Sequence, residues 1–155
     1  MLYLLFELGE NRFAIEATRV VEVLPLLEIS KVPHAPKGVA GFFNCRGTLV
    51  PVLDLAQLIT PHASEKRLST RIILVSFVDQ TGASRFAGLI AEQATRTVQK
   101  DRSQFVQSGI ATKGMSFVGP VAIDEKGFIH LIDPEKLLVE HAQELLAFLP
   151  KEAST

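Results

Sequence analysis

The side chains that could do chemistry here are one cysteine, Cys45, and four histidines, His34, His62, His130 and His141. Zinc sites gather their ligands at short, clustered spacings, and these histidines are scattered. His141-Ala142-Gln143-Glu144 also lacks the paired histidines of the metalloprotease helix motif. No metal site is therefore expected, and His130, between Ile129 and Leu131, is expected to point outward from a strand. Cys45 with His34 as its base would be the least that a thiol nucleophile requires. No third group that would orient the histidine stands out, and no oxyanion loop. A lone cysteine among apolar residues behaves as a small hydrophobe. The glycines form neither a Walker loop nor a dinucleotide fingerprint. The reading is a chain with no catalytic residue and no cofactor, with a small β-barrel thiol enzyme using Cys45 as the alternative from the enzyme class.

The most informative stretch runs from Gly41-Phe42-Phe43-Asn44-Cys45-Arg46-Gly47 through Thr48-Leu49-Val50-Pro51-Val52-Leu53-Asp54-Leu55. Asn44 and Gly47 suit a tight turn where positive φ is needed. Two apolar strands then flank Arg46, so its guanidinium needs a carboxylate or carbonyl partner unless it projects into water as an ordinary exposed hairpin arginine. Pro51 cannot donate to a β-ladder and is expected at an edge or a bulge. Asp54 is placed to cap a short helix over Leu55 to Ile59.

The elements around this stretch read as short strands separated by Gly, Pro and polar turns. Tyr3 to Leu8 and Arg12 to Ile15 form an opening hairpin across Gly9-Glu10-Asn11. Ala17 to Leu24 mixes a helical turn with a strand, and Pro25, Pro33 and Pro36 break regular structure after it. Thr60 to Thr70 reads as a surface loop. Arg71 to Val78 is apolar on both faces, as expected where two sheets share a core. Arg85 to Ala91 follows, then a separate strand over Thr95 to Gln99, and a mobile loop over Asp101 to Gly114. Met115 to Ile123 and Phe128 to Ile132 make the last hairpin. Asp133-Pro134-Glu135 opens a helix whose apolar stripe is Leu138, Ala142, Leu145 and Leu149. About ten strands and one terminal helix give an all-β barrel or sandwich.

Composition excludes several function classes. Sixteen Lys and Arg against seventeen Asp and Glu leave a formal charge of -1, so no cationic footprint for nucleic acid is present. Trp is absent and Tyr occurs once, which disfavours a base-stacking platform and with it an oligonucleotide-binding barrel. A single cysteine permits no internal disulfide and suits a reducing compartment. The apolar opening Met1 to Phe6 has no basic leader, and no apolar run is long enough to span a bilayer. A cytoplasmic protein without direct membrane insertion is expected.

The stretch through Asn44 to Leu55 resembles the signature of the CheW-like family, an Asn-Leu-Arg-Gly turn before a strand ending in Pro-Val-hydrophobic-Asp-Leu. The resemblance continues in order. It includes Leu4-Leu5-Phe6-Glu7-Leu8 with Arg12-Phe13-Ala14-Ile15, Val20-Val21-Glu22-Val23, and Val32-Pro33-His34-Ala35-Pro36. It extends through Arg71-Ile72-Ile73-Leu74-Val75 and Gly88-Leu89-Ile90 to Leu131-Ile132-Asp133-Pro134-Glu135-Lys136-Leu137-Leu138. Cys45 replaces the usual leucine, Glu92-Gln93-Ala94 stands where Val-Asp-x-Val is common, and Thr97 occupies a usually apolar position.

The resemblance implies two intertwined five-stranded SH3-like barrels, mainly β with a C-terminal helix. A CheW-like domain would cover residues 1–138, with 139–155 as the helix and tail of the same domain. It also implies an adaptor that couples the cytoplasmic tip of methyl-accepting chemoreceptors to the regulatory domain of a CheA-like histidine kinase, at membrane-associated receptor arrays. Other CheW-like domains are further partners. By position, Val20 and Glu22 fall in the segment associated with receptor contact, and Asn44, Arg46 and Gly47 in the signature turn. Glu22 and Arg46 form the expected ion pair, while Val20 reads equally as an apolar contact or as core packing. A CheW-like paralogue serving surface sensing, twitching or second-messenger output is the alternative within the family.

Overall fold

The computed structural model describes residues 1–79, 81–107 and 116–148, with side chains of the last helix described as far as His141. In chain order the strands are β1 (Leu2–Leu8), β2 (Asn11–Glu16), β3 (Val20–Pro25), β4 (Val39–Cys45), β5 (Thr48–Asp54), β6 (Arg71–Val78), β7 (Ser84–Gln99), β8 (Val118–Asp124) and β9 (Gly127–Ile132). Helix α1 (Leu55–Ile59) follows β5, and α2 (Pro134–Phe148) follows β9. A 3-10 turn over Ala17–Arg19 precedes β3, so the ambiguous Ala17–Leu24 stretch divides into both of its candidate structures.

One strand organises the rest. The first half of β7 pairs antiparallel with β6, from Val78↔Ser84 to Arg71↔Ala91, and parallel with β5 at Val52↔Gly88. Its second half pairs with β1, from Glu7↔Glu92 to Leu2↔Gln99. Thr95–Gln99 is therefore no separate strand but the continuation of β7 past a bulge, where Gln93 has φ +52° and the β1 register shifts between Leu5 and Glu7. A bulge bends a strand without ending it. Each half of β7 completes a five-stranded SH3-like barrel, one with β3, β4, β5 and β6, the other with β1, β2, β8 and β9.

Side-chain alternation builds three cores from this arrangement, because successive residues of a strand face opposite sides. On β6, Ile72 and Leu74 enter the core of the first barrel with Phe43, Val50, Val52 and Ile90. Ile73, Val75 and Phe77 enter a larger core shared between the barrels. On β1, Leu4, Phe6 and Leu8 face that shared core, while Tyr3 turns into the second barrel against Ala14 and Ile129. The two-sided apolar pattern of Arg71 to Val78 is this sharing, read along the chain.

Local chemistry fixes the joints. Asp54 Oδ1 accepts the Ala56 N–H at 3.1 Å and caps α1, as its position before Leu55 predicts. Strand β5 lies between β4 and β7, yet Pro51 precedes the Val52–Asp54 segment that pairs with β7. Its β4 partner Phe42 directs both backbone groups to Ser30, at 2.8 and 3.0 Å, so no ladder bond is lost at the proline. Ser30 crosses β4 so closely that a Cβ on Gly41 would sit 2.1 Å from the Ser30 carbonyl oxygen.

The expectation of a mobile loop from Asp101 is corrected over its described part. Asp101 opens a capping box with Gln104, and Val106 exchanges two backbone hydrogen bonds of 2.8 Å with Val121. Residues 108–114 of that expected loop lie outside the described residues. Helix α2 starts on Asp133, whose Oδ1 accepts the Glu135 N–H at 3.0 Å. It buries Leu137 and Leu138 in the shared core and exposes Val139. Ala142, Leu145 and Leu149 of the expected stripe lie outside the residues whose side chains are described.

Candidate partner-binding site

The β4–β5 hairpin turns through two residues, Arg46 at φ +53° and Gly47 at φ +89°. Such two-residue turns need positive φ at both central positions to match the right-handed twist of the strands. Positive φ thus falls on Arg46 and Gly47, not on Asn44. Asn44 contributes its side chain, with Oδ1 accepting the Gly47 N–H at 2.7 Å. The turn carries Arg46 out of the barrel, its side chain 79% exposed, the water-facing one of its two expected positions. From there Nη2 donates to Glu22 Oε2 at 3.3 Å.

Glu22 is presented by an irregularity in β3. Val20 pairs with Val75 and Glu22 with Leu74, leaving Val21 as the extra residue of a bulge. Val20, half-buried, packs against the shared core, whereas Val21 is exposed. Leu49, which faces Asn44 in the β4–β5 register, is also partly exposed. Exposed apolar residues thus stand on β3, next to Glu22, and on β5, in the hairpin that carries Arg46. Sequence reasoning named Val20, Glu22 and Arg46 and did not single out the exposure of Val21 and Leu49. Three valines around one glutamate could have pointed to Val21, since a period of two cannot send neighbouring valines to the same face.

The remaining candidate chemistry does not assemble. Cys45 packs, half-buried, against the core of the first barrel. His34 instead lines a cleft bounded by residues 26–40 and 63–70, of which Cys45 is no part. His130 points away from the core that Ile129 and Leu131 face, and is half-buried. It is paired with Phe13 in the β2–β9 register, its ring centroid 5.4 Å from that of Phe13, and burial lowers its pKa. Among the described residues, no three His, Cys, Asp or Glu side chains come together to hold a metal. None of the described helices is long and apolar enough to cross a membrane.

The strongest polar contacts hold the fold together. Arg12 forks onto Asp124, with Nη1 2.9 Å from Oδ2 and Nη2 bonded to Oδ1, and Nη2 also donates to the Gly127 carbonyl at 3.1 Å. That clamp joins β2 to the β8–β9 hairpin and pulls the Asp124 carboxyl down to about 2. The Thr81 hydroxyl, then Arg85, and the Thr81 and Ala83 N–H groups hold Asp79 far below its ordinary range in the β6–β7 turn.

Two five-stranded barrels around a shared strand, with an exposed ion pair and no assembled reactive group among the described residues, define an all-β double-barrel domain. The profile of the CheW-like domain matches residues 2–142, and the chain belongs to that family. It is 26% identical over 150 residues to the chemotaxis protein CheW of Klebsiella aerogenes, covering 93% of this chain and 85% of that one. It is 31% identical over 88 residues to the protein PilI of Pseudomonas aeruginosa, covering 57% and 47% of the two chains. Its fold superposes on the crystal structure of the scaffolding protein TtCheW from Thermoanaerobacter tengcongensis with a TM-score of 0.77. The superposition spans 88% of this chain and 86% of that one at 26% identity.

Proposed function

We propose that this chain is a non-catalytic adaptor in chemotaxis-type signalling, acting in the cytoplasm at membrane-associated receptor arrays. It couples the cytoplasmic tip of methyl-accepting receptors to the regulatory domain of a CheA-like histidine kinase. The observation that carries this reading is the family match over residues 2–142 on a complete double barrel. The receptor-facing surface is assigned to β3 and the β4–β5 turn. There Val21 offers exposed apolar area, Val20 supports it from the core, and the Glu22–Arg46 pair orients the two segments. Coupling then requires no chemistry in this chain. Two partners bind one scaffold, and receptor conformation biases the kinase through the difference in their contacts.

The test is the affinity of a receptor-tip fragment and of the kinase regulatory domain for wild type, Arg46→Ala, Glu22→Ala and the double variant. Receptor affinity is expected to fall and kinase affinity to hold, with non-additive losses in the double variant. Unchanged receptor affinity in Arg46→Ala removes the turn from the mechanism. A second reading, a CheW-like paralogue of another chemosensory pathway, is supported by the partial match to a relative not named as a chemotaxis protein. Binding to the kinase of one pathway and not of another distinguishes the two.

A further inference from the structure

A cleft of about 740 Å³ lies between the segment following β3 and the loop following α1, with neither Glu22 nor Arg46 in its lining. Its apolar lining includes Leu26, Ile29, Val32 and Ile90. Both walls are tied to one residue. Asp54 donates its backbone N–H to the Gly38 carbonyl at 2.7 Å, fixing the first wall. Its carboxylate accepts from the Ser64 N–H at 2.9 Å and from Ser64 Oγ at 2.6 Å, fixing the second. The Ser30–Phe42 bridge anchors the first wall again. The cleft is therefore held open by hydrogen bonds, not left between loose loops.

Its charge is unbalanced. Lys31 and Lys37 on one wall and Lys66 on the other line the cleft, with His34 beside them. The acidic residues of the lining are Glu28 and Asp54, the latter accepting from the Ala56 N–H and from Ser64, so the three lysines leave an excess of one positive charge. Among the described residues, every ion pair of the chain uses an arginine, so none of these three lysines has a carboxylate within 4.0 Å. An ammonium on a flexible stem is a point charge that can follow an anionic head group of any geometry. A preformed apolar cleft of a few hundred Å³ with a few polar groups is the usual form of a small-molecule site.

We propose that this cleft binds a small organic anion, an apolar body carrying a carboxylate, sulfonate or phosphate head, with the head held by Lys31, Lys37 and Lys66. Such a ligand would bind the adaptor itself, independently of receptor and kinase.

The probes are anilinonaphthalene sulfonate, an apolar anion, and the uncharged phenylnaphthylamine, both followed by fluorescence. The folded chain is expected to take up one equivalent of the sulfonate saturably. The combined variant Lys31→Gln, Lys37→Gln and Lys66→Gln should weaken the sulfonate about tenfold or more while changing the neutral probe less than about twofold. Lys126→Gln, outside the cleft, should leave both unchanged. Ala63→Phe, which fills the cleft from an exposed position, should weaken both probes and decides the matter should the lysine variant fail to fold. Non-saturable sulfonate binding, equal losses of both probes in the lysine variant, or wild-type binding by Ala63→Phe would each overturn the proposal.

Discussion

Arg46 at the tip of the β4–β5 turn reaches Glu22 of β3 with Nη2 3.3 Å from Oε2, joining residues 24 positions apart in the chain. With the guanidinium 79% exposed and the glutamate 39% exposed, water competes with the pair throughout. An exposed pair of this kind contributes only about 0–1 kcal/mol to folding.

The first prediction concerns stability. Arg46→Ala and Glu22→Ala should each shift the unfolding free energy by less than about 1 kcal/mol in urea titrations, with little coupling between them. A loss above about 2 kcal/mol for either would mean that the pair braces the barrel itself.

Gly41 should behave in the opposite way. Its φ of +140° suits glycine, and an added Cβ would press into the backbone of Ser30. Gly41→Ala should cost about 2 kcal/mol or more in the same titration, since the obstacle is backbone and the strain adds to it. Gly47→Ala, with open space around its Cβ, should cost less despite its φ of +89°. Equal costs at the two positions would contradict the close approach of Ser30.

The Arg12–Asp124 clamp makes an acid-stability prediction. The carboxyl titrates at about 2 in the folded chain against an ordinary value of 3.8, so the unfolded chain takes up the proton first as the pH falls. The clamp's contribution is therefore complete above about pH 4 and fades as the pH falls through about 2. Asp124→Asn should lower stability at neutral pH and flatten the acid dependence between those limits. An unchanged slope would place the acid sensitivity on other carboxylates.

Much of this architecture is written in local pattern. The helix start at Asp54, the opening of α2 at Asp133 and the two-sided burial of β6 follow from capping chemistry and from a run of apolar residues on both faces. What escaped the sequence depends on strands meeting across long separations. The glutamate–glutamine–alanine break in β7 reads as an end of pairing, yet β1 picks up the strand beyond it. Local composition leaves Arg46 open between a confined and a water-facing position, and the turn with positive φ at Arg46 and Gly47 takes the exposed one. Val20 takes the core-packing one of its two readings, and Val21 is exposed, through a one-residue bulge in the pairing with β6. His130 is half-buried, with Phe13 set beside it by the parallel β2–β9 pairing, a contact between residues 117 positions apart that no local window contains.

The measurement that tests the adaptor reading most directly is assembly of a three-part complex from purified components. A receptor-tip fragment and the regulatory domain of a CheA-like kinase are mixed with and without this chain and followed by sedimentation. The account predicts that each partner binds the chain alone, that both bind together, and that receptor and kinase co-sediment at far lower concentration when the chain is present. It further predicts that Arg46→Ala lowers receptor recruitment and leaves the kinase–adaptor pair intact. Mutual exclusion of receptor and kinase on this chain, or failure of both to bind the folded protein, would contradict it.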